Sequence, residues 1–149
     1  MIENTEGGFL ISKIKQIQGR LFEKILIEHG IDQFNGAQGR ILFVLWENDN
    51  IPIKELSNQT GLAKTTLTSM LERLEKSGNI QRIYDPTDRR IVKIKLTEAA
   101  QNLRIQYNEV SAKMNEIFYE GFDDNEIQSF ENSLRKVLEN LTKKENSNG

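Results

Sequence analysis

The sequence predicts a mainly α-helical fold carrying one small β-hairpin. Three features support this. Apolar residues recur at spacings of three and four along most of the 149 residues. Gly30, Gly61 and Gly78 each stand just past such a stretch, where helices stop. Between 80 and 96 the period falls to two, and the alternation is broken by Asp85-Pro86, a turn pair that cannot sit in a central strand.

In chain order, residues 9–29 place Leu10, Ile14, Ile17, Leu21 and Ile25 on one stripe of a helix, widened by Phe9, Phe22 and Leu26. Residues 36–49 are apolar on nearly all sides, through Ile41, Leu42, Phe43, Val44, Leu45 and Trp46, which predicts the buried centre of the fold. A short helix over 53–60 turns Ile53 and Leu56 inward. A second over 64–77 turns in Leu67, Leu71 and Leu74, with Met70 beside them. The runs 80–84 and 91–96 then form a hairpin around the loop DPTDRR. Residues 98–121 read as one long helix whose Leu103, Tyr107, Val110, Met114 and Ile117 make a heptad-like seam. A last helix over 123–143 carries Ile127, Phe130, Leu134, Val137, Leu138 and Leu141, and the tail KKENSNG is expected to fray.

Composition narrows the function. The chain has no cysteine, which excludes disulfides, cysteine zinc sites and thiol redox chemistry. Its one histidine, His29, cannot build a multi-histidine metal site and is read as a surface or capping residue. There is no glycine-rich phosphate loop, and Asp123-Asp124 needs no catalytic role, because acids favour a helix start. Neither an enzyme nor a cofactor is expected. No apolar run approaches the ~18 residues of a membrane span. The first residues lack a signal peptide's basic start and small-residue cleavage site. A cytoplasmic protein is expected.

Charge is unevenly spread. The net charge of −2 divides into +4 over residues 51–97, with nine Lys/Arg against five Asp/Glu, and −6 over the remainder. A basic middle between acidic flanks fits one surface that meets a polyanion.

Helix 53–60, a glycine turn and helix 64–77 form a helix-turn-helix layout. At about 100° per residue, Thr65, Ser69, Glu72 and Lys76 fall roughly 140–200° from the inward Leu67. Thr66, Thr68 and Arg73 flank that outer face. Its N-terminal half is therefore Lys64, Thr65, Thr66, Thr68 and Ser69. Threonine is a mediocre helix former, and a merely solvated face is better served by Glu, Lys and Gln. Small hydroxyl side chains instead let the backbone approach base edges and bond to bases or phosphates. The hairpin follows after only Gly78-Asn79, so its loop lies beside this helix. With the helix in a major groove, the loop covers the neighbouring minor groove, whose negative potential attracts arginine. The layout is a winged helix. Asp88 fits on such a surface if it pairs with one of Arg89 and Arg90 and holds the loop in shape.

The stretch GLAKTTLTSMLERLEKSGNIQRIYDPTDRRIVKIKLTEAA resembles the MarR family of bacterial transcriptional regulators. The matching pieces are Gly61-Leu62, the Thr-rich helix start, Leu71 through Gly78, Arg82, Asp85, Asp88-Arg89-Arg90 and Leu96-Thr97. The resemblance implies a homodimer in which first and last helices pair and each subunit offers one winged helix to a palindromic operator on double-stranded DNA. It implies an N-terminal dimerisation helix over 1–35, a DNA-binding lobe over 36–97 and C-terminal dimerisation helices over 98–149. It also implies DNA contacts at Thr65, Thr66, Thr68, Ser69 and Arg73, with Arg90 in the minor groove and Asp88 and Arg89 supporting the wing. Repression relieved by a small aromatic ligand is implied as well. The ligand region would be lined by parts of 9–29, 36–49 and 98–121, where the aromatic residues themselves read as core.

Two positions depart from the family pattern. Ala63 stands where a serine is frequent, so the recognition helix lacks a side-chain cap, a loss of about 1 kcal/mol. Ser69 stands where an arginine is common, so a guanine-reading contact from that position is not expected. The competing reading is a winged helix that binds proteins and not DNA. The arginines at 89 and 90 and the local +4 oppose it.

Overall fold

The computed structural model describes residues 1–148. Its elements run α1 (Gly7–Glu28), α2 (Gly36–Glu47), β1 (Ile51–Pro52), α3 (Ile53–Thr60), α4 (Lys64–Lys76), β2 (Ile80–Tyr84), β3 (Val92–Leu96), α5 (Glu98–Asn102), α6 (Arg104–Phe118) and α7 (Asp124–Asn148). The chain divides into two compact units, Met1–Met114 and Asn115–Gly149.

In the first unit, α2 is the centre. Ile41, Leu42 and Leu45 are fully buried, and Leu56, Leu67, Leu71 and Leu74 close over them from α3 and α4. Asn35 starts α2 with a capping box: its carboxamide oxygen accepts from Gln38 N, and Gln38 Oε1 accepts from Asn35 N. Glu23 of α1 accepts from Gly36 N, which ties α1 to that same helix start. His29 lies at the end of α1 with Nδ1 3.0 Å from Ile25 O, the capping position expected of it. Around Tyr107 of α6 sit Phe22, Phe34, Phe43 and Trp46, with ring centroids 5.0–6.1 Å away. Trp46 and Tyr107 are buried core, as read from the sequence, and Phe34 is buried with them; Phe9 and Phe43, also expected in the core, are exposed, because each lies on the outward side of its helix. Gly39 permits this packing, because a Cβ there would meet Tyr107 at 3.0 Å and Phe34 at 3.2 Å.

Four features differ from expectation. The sheet has three strands, in the order β1-β3-β2 and all antiparallel, with Ile51 opposite Ile94 and Ile80 opposite Leu96. A two-residue strand has no period to read, so β1 is silent in sequence. The helix expected over 98–121 breaks at Leu103. There the carbonyl of Ala100 accepts both the Trp46 indole N–H at 3.1 Å and Leu103 N at 3.2 Å, a tighter turn than an α-helix makes. Arg104 then anchors α6 by donating to Trp46 O and to Glu47 Oε1. The expected heptad seam is spent inside the unit: Leu103, Tyr107, Val110 and Met114 are buried, and Ile117 alone of the five is exposed. Finally, residues 143–148 continue α7 and do not fray. The Lys143–Glu139 pair at 3.2 Å and the Ser147 hydroxyl, which donates to Lys144 O, support that last stretch.

The second unit is built on α7. Asp123 caps it, with Oδ1 accepting from Glu126 N and Glu126 Oε1 accepting from Asp123 N. Phe118, Tyr119, Phe122 and Phe130 pack edge to face or tilted. The Tyr119 hydroxyl donates to Glu131 Oε2 at 2.6 Å, and desolvation together with that carboxylate pushes the phenol up to about 12. No described residue of α7 is buried. No helix among the described residues is long and apolar enough to cross a membrane.

Candidate nucleic-acid interface

The turn between α3 and α4 is set by short-range hydrogen bonds. Gly61 takes φ +73°, which spares the backbone the strain a side chain would bring. Thr60 Oγ1 donates to Leu56 O and accepts from Leu62 N, and Ser57 Oγ donates to Leu62 O. These bonds use the turn's polar groups internally and fix the entry of α4.

Helix α4 presents the face read from the sequence. Lys64, Thr65, Thr66, Thr68, Ser69 and Arg73 are exposed, and Leu67, Leu71 and Leu74 are buried. One of the hydroxyls is partly used: Thr68 Oγ1 donates its proton to Lys64 O at 2.8 Å. Thr68 therefore offers a methyl group and acceptor lone pairs, not a free donor. Ala63 leaves the start of α4 without a side-chain cap, as expected. At the other end the helix closes in a Schellman motif: Gly78, at φ +80°, donates to Glu75 O, and Asn79 N donates to Leu74 O. Arg82 of β2 reaches back to Glu75 at 3.4 Å and binds the wing to the helix.

The wing loop is shaped by two aspartates. Asp85 Oδ1 accepts from Thr87 N, Thr87 Oγ1 and Asp88 N at 2.7–3.0 Å, an Asx-type turn. Those bonds, the Thr87 hydroxyl first, hold its carboxyl below the usual carboxylate range. Asp88 then grips Arg90. Arg90 Nε and Nη2 donate to Asp88 Oδ1 and Oδ2 at 3.0 Å each, and Arg90 N donates to Oδ1 as well. This fork lowers the Asp88 pKa and raises that of Arg90. The Arg90 side chain nonetheless stays 90 % exposed. The partner of Asp88 is thus Arg90 itself. Arg89 is exposed, and among the described residues its side chain makes none of the bonds that shape the loop.

A cleft of about 480 Å³ joins these parts. Its walls include Lys54, Ser57 and Asn58 of α3, Lys64 at the start of α4, and Arg90 with Ile91 and Val92 of the wing. Lys54, Lys64 and Arg90 border it, and the Arg90 guanidinium is paired with Asp88. Lys54 and Asn58 were not among the residues read from the sequence. On a short helix with two inward positions they look like ordinary solvated side chains, and only the fold brings them to Lys64 and Arg90. The role of Asp85 was more accessible, since Asp-Pro-Thr-Asp is an Asx-turn sequence.

Residues 34–92 match the sequence pattern of the MarR family. An uncharacterized HTH-type transcriptional regulator of Bacillus subtilis (strain 168), YsmB, is 34% identical over 139 residues, covering 90% of this chain and 88% of its own. The chain belongs to the MarR family. As a member it is a transcriptional regulator and not an enzyme. Solved structures agree on the fold. A MarR transcriptional regulator from Methanosarcina mazei Go1 superposes with a TM-score of 0.80 at 26% identity, over 91% of this chain and 96% of that one. A cysteine-to-serine mutant of MarR from E. coli, complexed with operator DNA, gives 0.79 at 28% identity, over 88% and 92%.

Proposed function

We propose that the chain binds a palindromic operator on double-stranded DNA as a homodimer in the cytoplasm, and that it represses transcription until a small ligand relieves it. The observation that carries the DNA reading is the shared cleft. The start of α4 and the wing border one surface that carries Lys54, Lys64 and Arg90, so one duplex can engage both. In this reading Thr65, Thr66, Thr68, Ser69 and Arg73 face the major groove. Arg90, held by Asp88, enters the minor groove, and Arg89, Lys64 and Lys54 lie along the phosphates. The E. coli relative crystallised with operator DNA supports the same reading.

Pairing is supported by apolar surface that the chain leaves uncovered. On α1, Phe9, Leu10, Ile14, Ile17 and Leu21 are exposed, and on α7 Val137, Leu138 and Leu141 are exposed. A contiguous stripe of that kind marks an interface. In this proposal residues 1–35 and 98–149 pair and residues 36–97 read DNA.

The test is a selection of duplexes from a randomised pool, followed by titration over a range of salt concentrations. A recovered palindrome, with affinity falling steeply as salt rises, is expected. Failure to enrich any duplex at low salt would favour a protein-binding winged helix.

A further inference from the structure

Asn79 is the one buried polar residue among the described residues, 3 % exposed. It stands where four segments meet. Its N–H closes the end of α4 on Leu74 O. Its carbonyl accepts from Thr97 N, and the Thr97 hydroxyl donates to Gly78 O, so the start of β2 is joined to the end of β3. Its side-chain Nδ2 donates to Ser77 Oγ at 3.0 Å and, 46 residues away in sequence, to the main-chain carbonyl of Gln33 at 3.2 Å.

Gln33 lies in the loop from α1 to α2, between the buried Ile31 and Phe34. That loop is tied back to α1 by Glu23, which accepts from Gly36 N. Two hydrogen bonds, joined by the main chain from Gln33 to Gly36, therefore connect α1 at Glu23 to Asn79 and the C-terminal end of α4. Beside their shared apolar core, the helix with the exposed apolar stripe and the helix with the hydroxyl face are thus also linked through the Asn79 carboxamide. Leucine, of similar size, could bridge neither Ser77 nor Gln33 and would leave the Gln33 carbonyl without this donor.

We infer that Asn79 is a positioning residue: its bond to Gln33 fixes the angle of α4 and the wing against α1, and so sets the half-site spacing that a dimer accepts. The inference rests on the paired reading of DNA proposed above. Two recognition helices on one face of a duplex must sit about 34 Å apart, so a small rotation about the lobe's root shifts register with the groove. Residues of α4 choose the bases; Asn79 governs how far apart the two sets lie.

The test uses the full chain and the duplex recovered by selection, together with versions carrying one base pair more or one fewer between half-sites, and a single half-site. Wild type is expected to bind the selected spacing about ten-fold more tightly than either altered spacing. Asn79→Leu is expected to reduce that preference to about three-fold or less and to leave half-site affinity within about two-fold. In protein without DNA, amide exchange in residues 31–35 is expected to rise about ten-fold in the variant. Asn79→Asp keeps the shape and sets an acceptor against Gln33 O, so it serves if the leucine variant does not fold.

An unchanged spacing preference, or equal losses on palindrome and half-site, would overturn the inference. If wild type shows no spacing preference at all, the dimeric reading fails. The exchange measurement then still judges the joint, and unchanged exchange in 31–35 refutes it.

Discussion

Replacing Asp88 by alanine sets two physical arguments against each other. Asp88 is a negative charge on a surface proposed to face phosphates, so simple electrostatics has its removal tighten binding. With a phosphate on the order of 8 Å away in a high-dielectric, screened setting, the relief amounts to a factor of about 1.5 in affinity. Against this stands the fork. Two guanidinium bonds and one main-chain bond, each 3.0 Å, hold Arg90 in one pose while it remains open to solvent. Without the carboxylate, the arginine must be ordered on binding, and fixing a long side chain weakens affinity by roughly two- to ten-fold. Ordering exceeds repulsion, so Asp88→Ala is expected to weaken operator binding several-fold at moderate salt. A gel-shift titration of the variant against wild type measures this. Tighter binding by Asp88→Ala would refute the reasoning and make Asp88 a bystander.

The carboxyl of Asp88 should titrate below 3.8, because the Arg90 guanidinium stabilises its charged form. The folded pKa is depressed, so the fork is intact at neutral pH and is lost only as pH falls through that value. NMR titration should show the midpoint rising in Arg90→Ala, and no rise would assign the shift to the main-chain N–H. Lys54→Gln is expected to weaken binding about equally on all duplexes and to lower the log–log salt slope by about 1, read by titration at several ionic strengths. Gly39→Ala sets a methyl 3.0 Å from the Tyr107 ring and 3.2 Å from that of Phe34, both buried. The helix-propensity gain is about 1 kcal/mol and overpacking costs about 1–3 kcal/mol, so net destabilisation is expected in chemical denaturation with an unchanged slope.

Much of this architecture was open to sequence reading because it is periodic. The inward row Leu67, Leu71, Leu74 fixes the outward face of α4 by geometry alone, and Gly61 and Gly78 mark where backbones turn left-handed. What escaped lies in long-range hydrogen bonds. The break at Leu103 depends on an indole 54 residues away in sequence, which no spacing of apolar residues records. The seam 103–114 has the period of a coiled coil and of a buried helix alike, and only the rings around Tyr107 decide between them. At the interface, the outer residues of α4 and the Asp-Arg-Arg loop were visible, but which arginine Asp88 holds was not. Lys54 becomes part of the surface only because α3 stands across a cleft from the wing.

Helix α7 runs for 25 residues without one that is buried. A helix so lightly supported is expected to open readily in a lone chain, and proteases cut what opens. Under the pairing proposed above, a second copy would cover it, and the lifetime of the chain would then depend on its abundance.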